Sequence, residues 1–173
     1  MAMTGPASGL CICLLNIAYH HRKTVPIVIL NIKKQYLLFA PDSTPGTKLT
    51  SRTKIPSDGL DVQEWRFNFH DEKYFWIEPV NDRRVVLQMS PSQPNAPLSL
   101  APKRPASDAS EQQFFLQGDT LRCAQEPNLV VASLEAPKAG QPTVVVLKTN
   151  NPSDSALQSW TPSTELWPKN NFA

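Results

Sequence analysis

Three stretches of the chain close on one short pattern, a glutamine, any residue and then an aromatic: Gln63-Glu64-Trp65, Gln112-Gln113-Phe114 and Gln158-Ser159-Trp160. The glutamines stand 49 and 46 residues apart, near enough to equal for one structural unit used three times with small loop insertions. Nothing else in the sequence constrains the fold as much. A unit of this length carries an apolar hairpin face that it cannot bury alone, so three of them must close around a shared core. Closure also removes sheet edges that would invite aggregation.

The residues between the closings fit this reading. From Val25 onward, short runs rich in Val, Ile, Leu, Phe and Tyr alternate with clusters of Pro, Ser, Asp and Asn, the pattern of an antiparallel all-β chain. The hairpins are expected at 27–31 turning through Lys33-Lys34 into 36–39, at 74–78 through Asn81-Asp82 into 85–89, and at 120–124 through 126–128 into 129–134. Third strands are expected at 48–51, 98–101 and 143–147, and fourth strands from Trp65, Phe114 and Trp160, which makes twelve strands in all. Proline is frequent, at 17 residues, and glycine scarce, at 6. Prolines this common break helices and are excluded from central strands, which argues against a helical bundle or a doubly wound parallel sheet.

Domain organisation follows: an arm at 1–23, one domain at 24–168 and a short tail at 169–173. The apolar run at 10–18 is about half the roughly 20 residues a membrane span requires. As a secretion signal it lacks preceding basic residues, because Arg22 and Lys23 follow it. With Cys11, Cys13 and Cys123 as the three cysteines there is no disulfide framework, so a reducing, cytoplasmic setting is expected, and secretion enters only if 10–18 acts as a signal. A net charge of +2 is too small to call for nucleic acid.

At the repeated closings the chain resembles the β-trefoil proteins of the ricin B-chain type, whose units end in the same Gln-x-Trp and open on a similar hairpin. The likeness runs over about residues 25–167. It implies a β-trefoil in three pseudo-threefold repeats that works as a lectin-like, carbohydrate-binding module, without catalysis, cofactor or metal. The family's sugar-site carboxylate matches Phe39, Gln88 and Ala132 here. Its asparagine before the closing glutamine matches Val62, Glu111 and Leu157, and its aromatic matches Thr50, Ala101 and Lys148. Every copy departs from the pattern. The second unit keeps most polarity, so Gln88 and Glu111 are the expected polar fork, with Asn95 in the connecting loop as a third contact.

The residues offer little for chemistry. Cys11-x-Cys13 with His20-His21 matches no zinc spacing, and neither those histidines nor His70 sits in a recognisable nucleophile context. Asp71 and Glu72 are adjacent in a turn, as solvated acids are. The same fold also serves fungal protease inhibitors and those of the Kunitz soybean type. Proline-stiffened loops near residues 90–97 and 101–105 suit that second reading, with Asn81, Asn95, Asn150 or Arg84 as the probed residue. A protein-interaction trefoil without sugar binding is the third. Because no matching hairpin lies in the arm, a chain beginning at Lys23 is expected to stay soluble and to unfold cooperatively in urea. Loss of the cooperative transition would place residues 10–18 in the core.

Overall fold

The computed structural model describes residues 27–31, 36–53, 64–90, 93–138 and 141–163. Gln63, Val62, the arm at 1–23 with its cysteines and histidine pair, the Lys33-Lys34 turn and the tail at 169–173 lie outside the described residues. The strands are β1 (Val28–Asn31), β2 (Tyr36–Phe39), β3 (Thr50–Thr53), β4 (Trp65–Phe69), β5 (Phe75–Pro79) and β6 (Val85–Met89). They continue as β7 (Leu98–Pro102), β8 (Phe114–Gln117), β9 (Thr120–Cys123), β10 (Leu129–Ser133), β11 (Thr143–Thr149) and β12 (Thr161–Ser163). Among the described residues helical structure is confined to single turns, among them Ser110–Gln112, Pro152–Asp154 and the α-helical turn α1 (Ser155–Gln158).

Six strands form a closed ring. The fourth strand of each unit pairs antiparallel with the first strand of the next: β4 with β5, β8 with β9, and β12 back onto β1. Within each unit the first and fourth strands touch through one bridge, at Ile27 and Trp65, Phe75 and Phe114, and Thr120 and Ser159. The other six strands are the hairpin pairs β2–β3, β6–β7 and β10–β11. Their third strands meet in a triangle, through Lys48 and Ser99, Pro97 and Val146, and Thr143 and Ser51. This barrel with a triangular cap is a β-trefoil.

One strand differs from its expected position for a clear reason. In the first unit the hairpin pairing begins at Thr50 rather than at residue 48, because Lys48 and Leu49 face the neighbouring unit instead: the Leu49 amide donates to the Leu98 carbonyl at 2.9 Å. Contacts between units thus claim residues that local alternation assigned to the third strand.

The ring is filled by alternate side chains of its strands. Trp65, Phe67 and Phe69 of β4 point inward with Phe75 and Ile77 of β5, and the Phe67 and Phe75 rings stack with centroids 4.2 Å apart. Trp65, Phe114 and Trp160 are fully buried. The indole N–H of Trp65 donates to the Leu38 carbonyl at 3.1 Å, and that of Trp160 to the Val131 carbonyl at 2.8 Å. Leu38 and Val131 hold the same third position in β2 and β10. A buried indole thereby satisfies its own N–H and a backbone carbonyl together. In the second unit the closing aromatic is a phenylalanine and has no such donor.

Cys123 is buried in the core beside these rings, and burial pushes its thiol up to about 11, so it stays protonated near neutral pH. Trp160→Ala should destabilise the domain by about 3 to 5 kcal/mol. Trp160→Phe, which keeps an aromatic ring and loses the hydrogen bond together with part of the indole's volume, should cost about 1 to 3 kcal/mol. Urea denaturation checks both, and a Trp160→Phe variant as stable as the wild type would show that the indole N–H contributes nothing.

Candidate functional site

The closing glutamines act on loop backbone. Gln112 and Gln158 are buried, and each side-chain amide clamps the segment that follows its unit's third strand. Gln112 donates to the Pro102 carbonyl at 2.9 Å and accepts from the Arg104 amide at 3.0 Å. Gln158 donates to the Thr149 carbonyl at 3.1 Å and accepts from the Asn151 amide at 3.0 Å. These matched bonds put Pro102, Lys103 and Arg104 of the second unit in register with Thr149, Asn150 and Asn151 of the third.

The clamp decides what becomes of the residues expected to hold sugar. Gln88, on β6, accepts from the second amide hydrogen of Gln112 at 2.8 Å, and Glu111 forms an ion pair with Arg104. Both therefore lie beside Gln112 but are engaged with protein partners. Asn95 is held elsewhere, in the turn before β7, with positive φ (67°) and its amide donating to the Leu147 carbonyl of β11 at 2.7 Å. In the first unit the matching Phe39 is buried with the Arg52 guanidinium 3.7 Å above its ring, and in the third Ala132 is fully buried. Of the residues proposed for protease contact, Arg84 is fixed to Asp82 by its Nε and Nη2 atoms, bonds that hold the Asp82 carboxyl below its usual range.

A second register links the outer faces of the ring. Cross-strand pairs align Arg66 and Asn68 with Glu78 and Trp76 at the β4–β5 seam. They align Phe115 and Gln117 with Arg122 and Thr120 at the β8–β9 seam. Glu78 thus corresponds to Arg122, and Trp76 to Thr120. At the first of these places the space is filled. Glu78 is nearly fully buried and its Oε1 accepts from Asn68 at 2.8 Å and from the Lys103 ammonium at 2.7 Å. The same ammonium lies 4.2 Å from the centre of the buried Trp76 ring.

At the second place the space is open. Thr120 stands where Trp76 stood and Asn150 where Lys103 stood, and the result is a groove of about 530 Å³ whose lining includes Gln117, Asp119, Thr120, Arg122, Asn150 and Asn151. That volume is ordinary for a small-molecule site, roughly 300 to 1,000 Å³. Arg122 is held from two sides, its Nε donating to the Thr120 hydroxyl at 3.1 Å and its Nη1 to the Pro127 carbonyl at 2.6 Å. The Thr120 hydroxyl donates in turn to the Gln117 carbonyl at 2.7 Å. Ala132, Leu157 and Lys148, the family-pattern positions of this unit, are not in the lining. The groove has no sequence motif, because its residues lie on two segments, 117–122 and 150–159, which the Thr120–Ser159 bridge and the Trp160 amide donating to the Asp119 carbonyl at 2.7 Å bring face to face.

Solved structures of like shape agree on the class. The chain is similar to the C-terminal half of an earthworm R-type lectin in complex with GalNAc, at 13% identity over 80% of this chain and 97% of that one, with a TM-score of 0.58. It is similar to a non-toxic homologue of type II RIPs from Momordica charantia (bitter gourd) in complex with α-methyl-D-galactoside, at 13% identity over 82% of this chain and 49% of that one, TM-score 0.60. It is also similar to ThreeFoil, a designed threefold-symmetric protein, at 12% identity over 79% of this chain and 96% of that one, TM-score 0.63. No family model and no curated protein matches the sequence. The chain has the β-trefoil fold.

Among the described residues no group of three or more His, Cys, Asp or Glu side chains is placed to hold a metal ion, and no helix is long and apolar enough to cross a membrane. The filled place in the second unit makes its own prediction. Lys103→Met leaves the Glu78 carboxylate buried without its cation and should cost about 2 to 4 kcal/mol in a urea titration. Adding Glu78→Gln should recover most of that loss, and additive losses would show that the two side chains do not act as a pair.

Proposed function

We propose that the protein is a lectin-like β-trefoil that binds carbohydrate without catalysis, and that the groove of the third unit is its binding site. The observation that carries this is the contrast between equivalent places: where the second unit seats Trp76 and Lys103, the third leaves an amide- and hydroxyl-lined groove of about 530 Å³. Side-chain amides and hydroxyls donate and accept at once, as sugar hydroxyls do, and a pre-formed cleft limits the ordering cost of binding. Relatives in fold that were solved with GalNAc and α-methyl-D-galactoside support the reading by analogy of architecture.

Among the described residues the groove lining includes no aromatic side chain. Affinity then rests on hydrogen bonds rather than on a sugar face packed against a ring, and single sugars should bind weakly. Gln88, Glu111 and Asn95 have no part in this site: none of them lines the groove, the Gln88 and Glu111 side chains serve the clamp and the Arg104 ion pair, and Asn95 lies in the turn before β7.

A glycan array separates the readings. Thr120→Trp combined with Asn150→Lys, which copies the second unit's filling into the third, should weaken binding by at least about tenfold, a loss near 1.4 kcal/mol. Gln88→Ala and Glu111→Ala should leave it unchanged. The opposite pattern would move the site to the second unit. If the wild-type protein binds no glycan but inhibits a serine or cysteine protease, the inhibitor reading replaces this one.

A further inference from the structure

The two equivalent places differ in charge as well as in volume, and the filled one displays what the geometry accepts. In the second unit the carboxylate of Glu78 receives a cation, the Lys103 ammonium, with the Asn68 amide alongside. In the third unit the same position carries the Arg122 guanidinium, the corresponding amide is Gln117, and Asn150 replaces the lysine. The receptor charge is inverted and the internal occupant is missing. No carboxylate among the described residues pairs with Arg122, whose partners are a hydroxyl and a carbonyl.

We infer that the groove takes an acidic sugar, a hexuronate or another carboxylate-bearing glycan unit, with its carboxylate on Arg122 and its hydroxyls on the surrounding amides. Arg122 and Asp119 are the two charged residues of the lining among the described residues, and they ask different things of a ligand. The guanidinium is pinned at Nε and Nη1, so its remaining edge is pre-oriented for an anion. Asp119, exposed at the turn before β9, can only accept hydrogen bonds as a carboxylate and repels a second negative group. A sugar acid answers both demands, with one anionic end and several donors. Phosphate or sulfate, bearing more charge and few donors, does not.

This inference rests on the groove being the sugar site, and its test keeps the two apart. Amide chemical shifts of the full chain are followed while D-glucuronate, D-glucose and acetate are added separately at constant ionic strength. D-glucuronate should shift the amides of Gly118, Asp119, Arg122, Asn150 and Asn151 and bind at least about tenfold more tightly than D-glucose, the difference expected of one charge-assisted hydrogen-bond pair. Arg122→Gln should remove that preference and leave the remaining amide spectrum in place, whereas Arg122→Lys should keep part of it. Equal binding of D-glucose and D-glucuronate would overturn the acidic-sugar inference and leave the groove as a sugar site. Acetate binding as tightly as D-glucuronate would overturn both, since the hydroxyls would then count for nothing. A spectrum unmoved by any of the three, with no acidic glycan retained on the array, would also overturn both.

Discussion

The last strand of the chain lies beside the first, and the rest of the structure depends on that closure. β12 pairs with β1 through Val28 and Ser163, Ile29 and Pro162, and Leu30 and Thr161, which turns a row of ring strands into a barrel without an edge. Each unit alone would leave Trp65, Phe114 or Trp160 facing water, because the walls of its pocket belong partly to the next unit. Burial of these rings is therefore a property of three units together, and stability is expected to be gained as a whole rather than unit by unit. The cap works likewise: Leu49, Leu98 and Leu147 are fully buried where the third strands of different units meet.

Threefold repetition also separates what the fold needs from what it does not. The closing aromatic and the glutamine clamp take equivalent positions in the second and third units: the rings fill the core, and the glutamines serve backbone groups that would otherwise be buried unpaired. The outer face of the ring carries no such demand, and there the units diverge: Trp76 with Glu78 in one, Thr120 with Arg122 in another. A buried carboxylate held by an ammonium stabilises little in net terms once its desolvation is counted, so the filled place is a local solution to occupancy rather than a support of the barrel. The open place has no corresponding structural task, which is why it is the better candidate for a ligand.

Two different lessons come from the residues first singled out for sugar. Gln88 and Glu111 have suitable chemistry and the right unit, but a side-chain amide beside a buried glutamine is drawn into that glutamine's hydrogen bonds, and Glu111 finds Arg104 within its own loop. Position in a family pattern says which strand a residue lies on and says nothing of which neighbour claims its polar atoms. Asn95 lies in the loop between β6 and β7, where its backbone serves the contact with β11, and positive φ is the conformation asparagine tolerates better than most residues.

The sequence by itself determined the architecture: three spaced closings, hairpins at regular intervals and prolines in the turns leave few ways to bury the apolar residues, and the strands follow from period-two alternation. This part was legible because it is local or repeated, and repetition makes distant segments comparable without knowing where they lie. Tertiary structure alone decided the register of β3, where contact with Leu98 of another unit overrides the local pattern, and the groove itself. Its walls, at 117–122 and 150–159, are joined by the Thr120–Ser159 bridge and the Trp160 amide's bond to the Asp119 carbonyl, while Gln158 fixes the loop after β11, and whether the space between them is open depends on the volumes of Thr120 and Asn150 set against Trp76 and Lys103. Packing of side chains from segments far apart in the chain has no periodic signature, and so it becomes visible only once the barrel has brought them together.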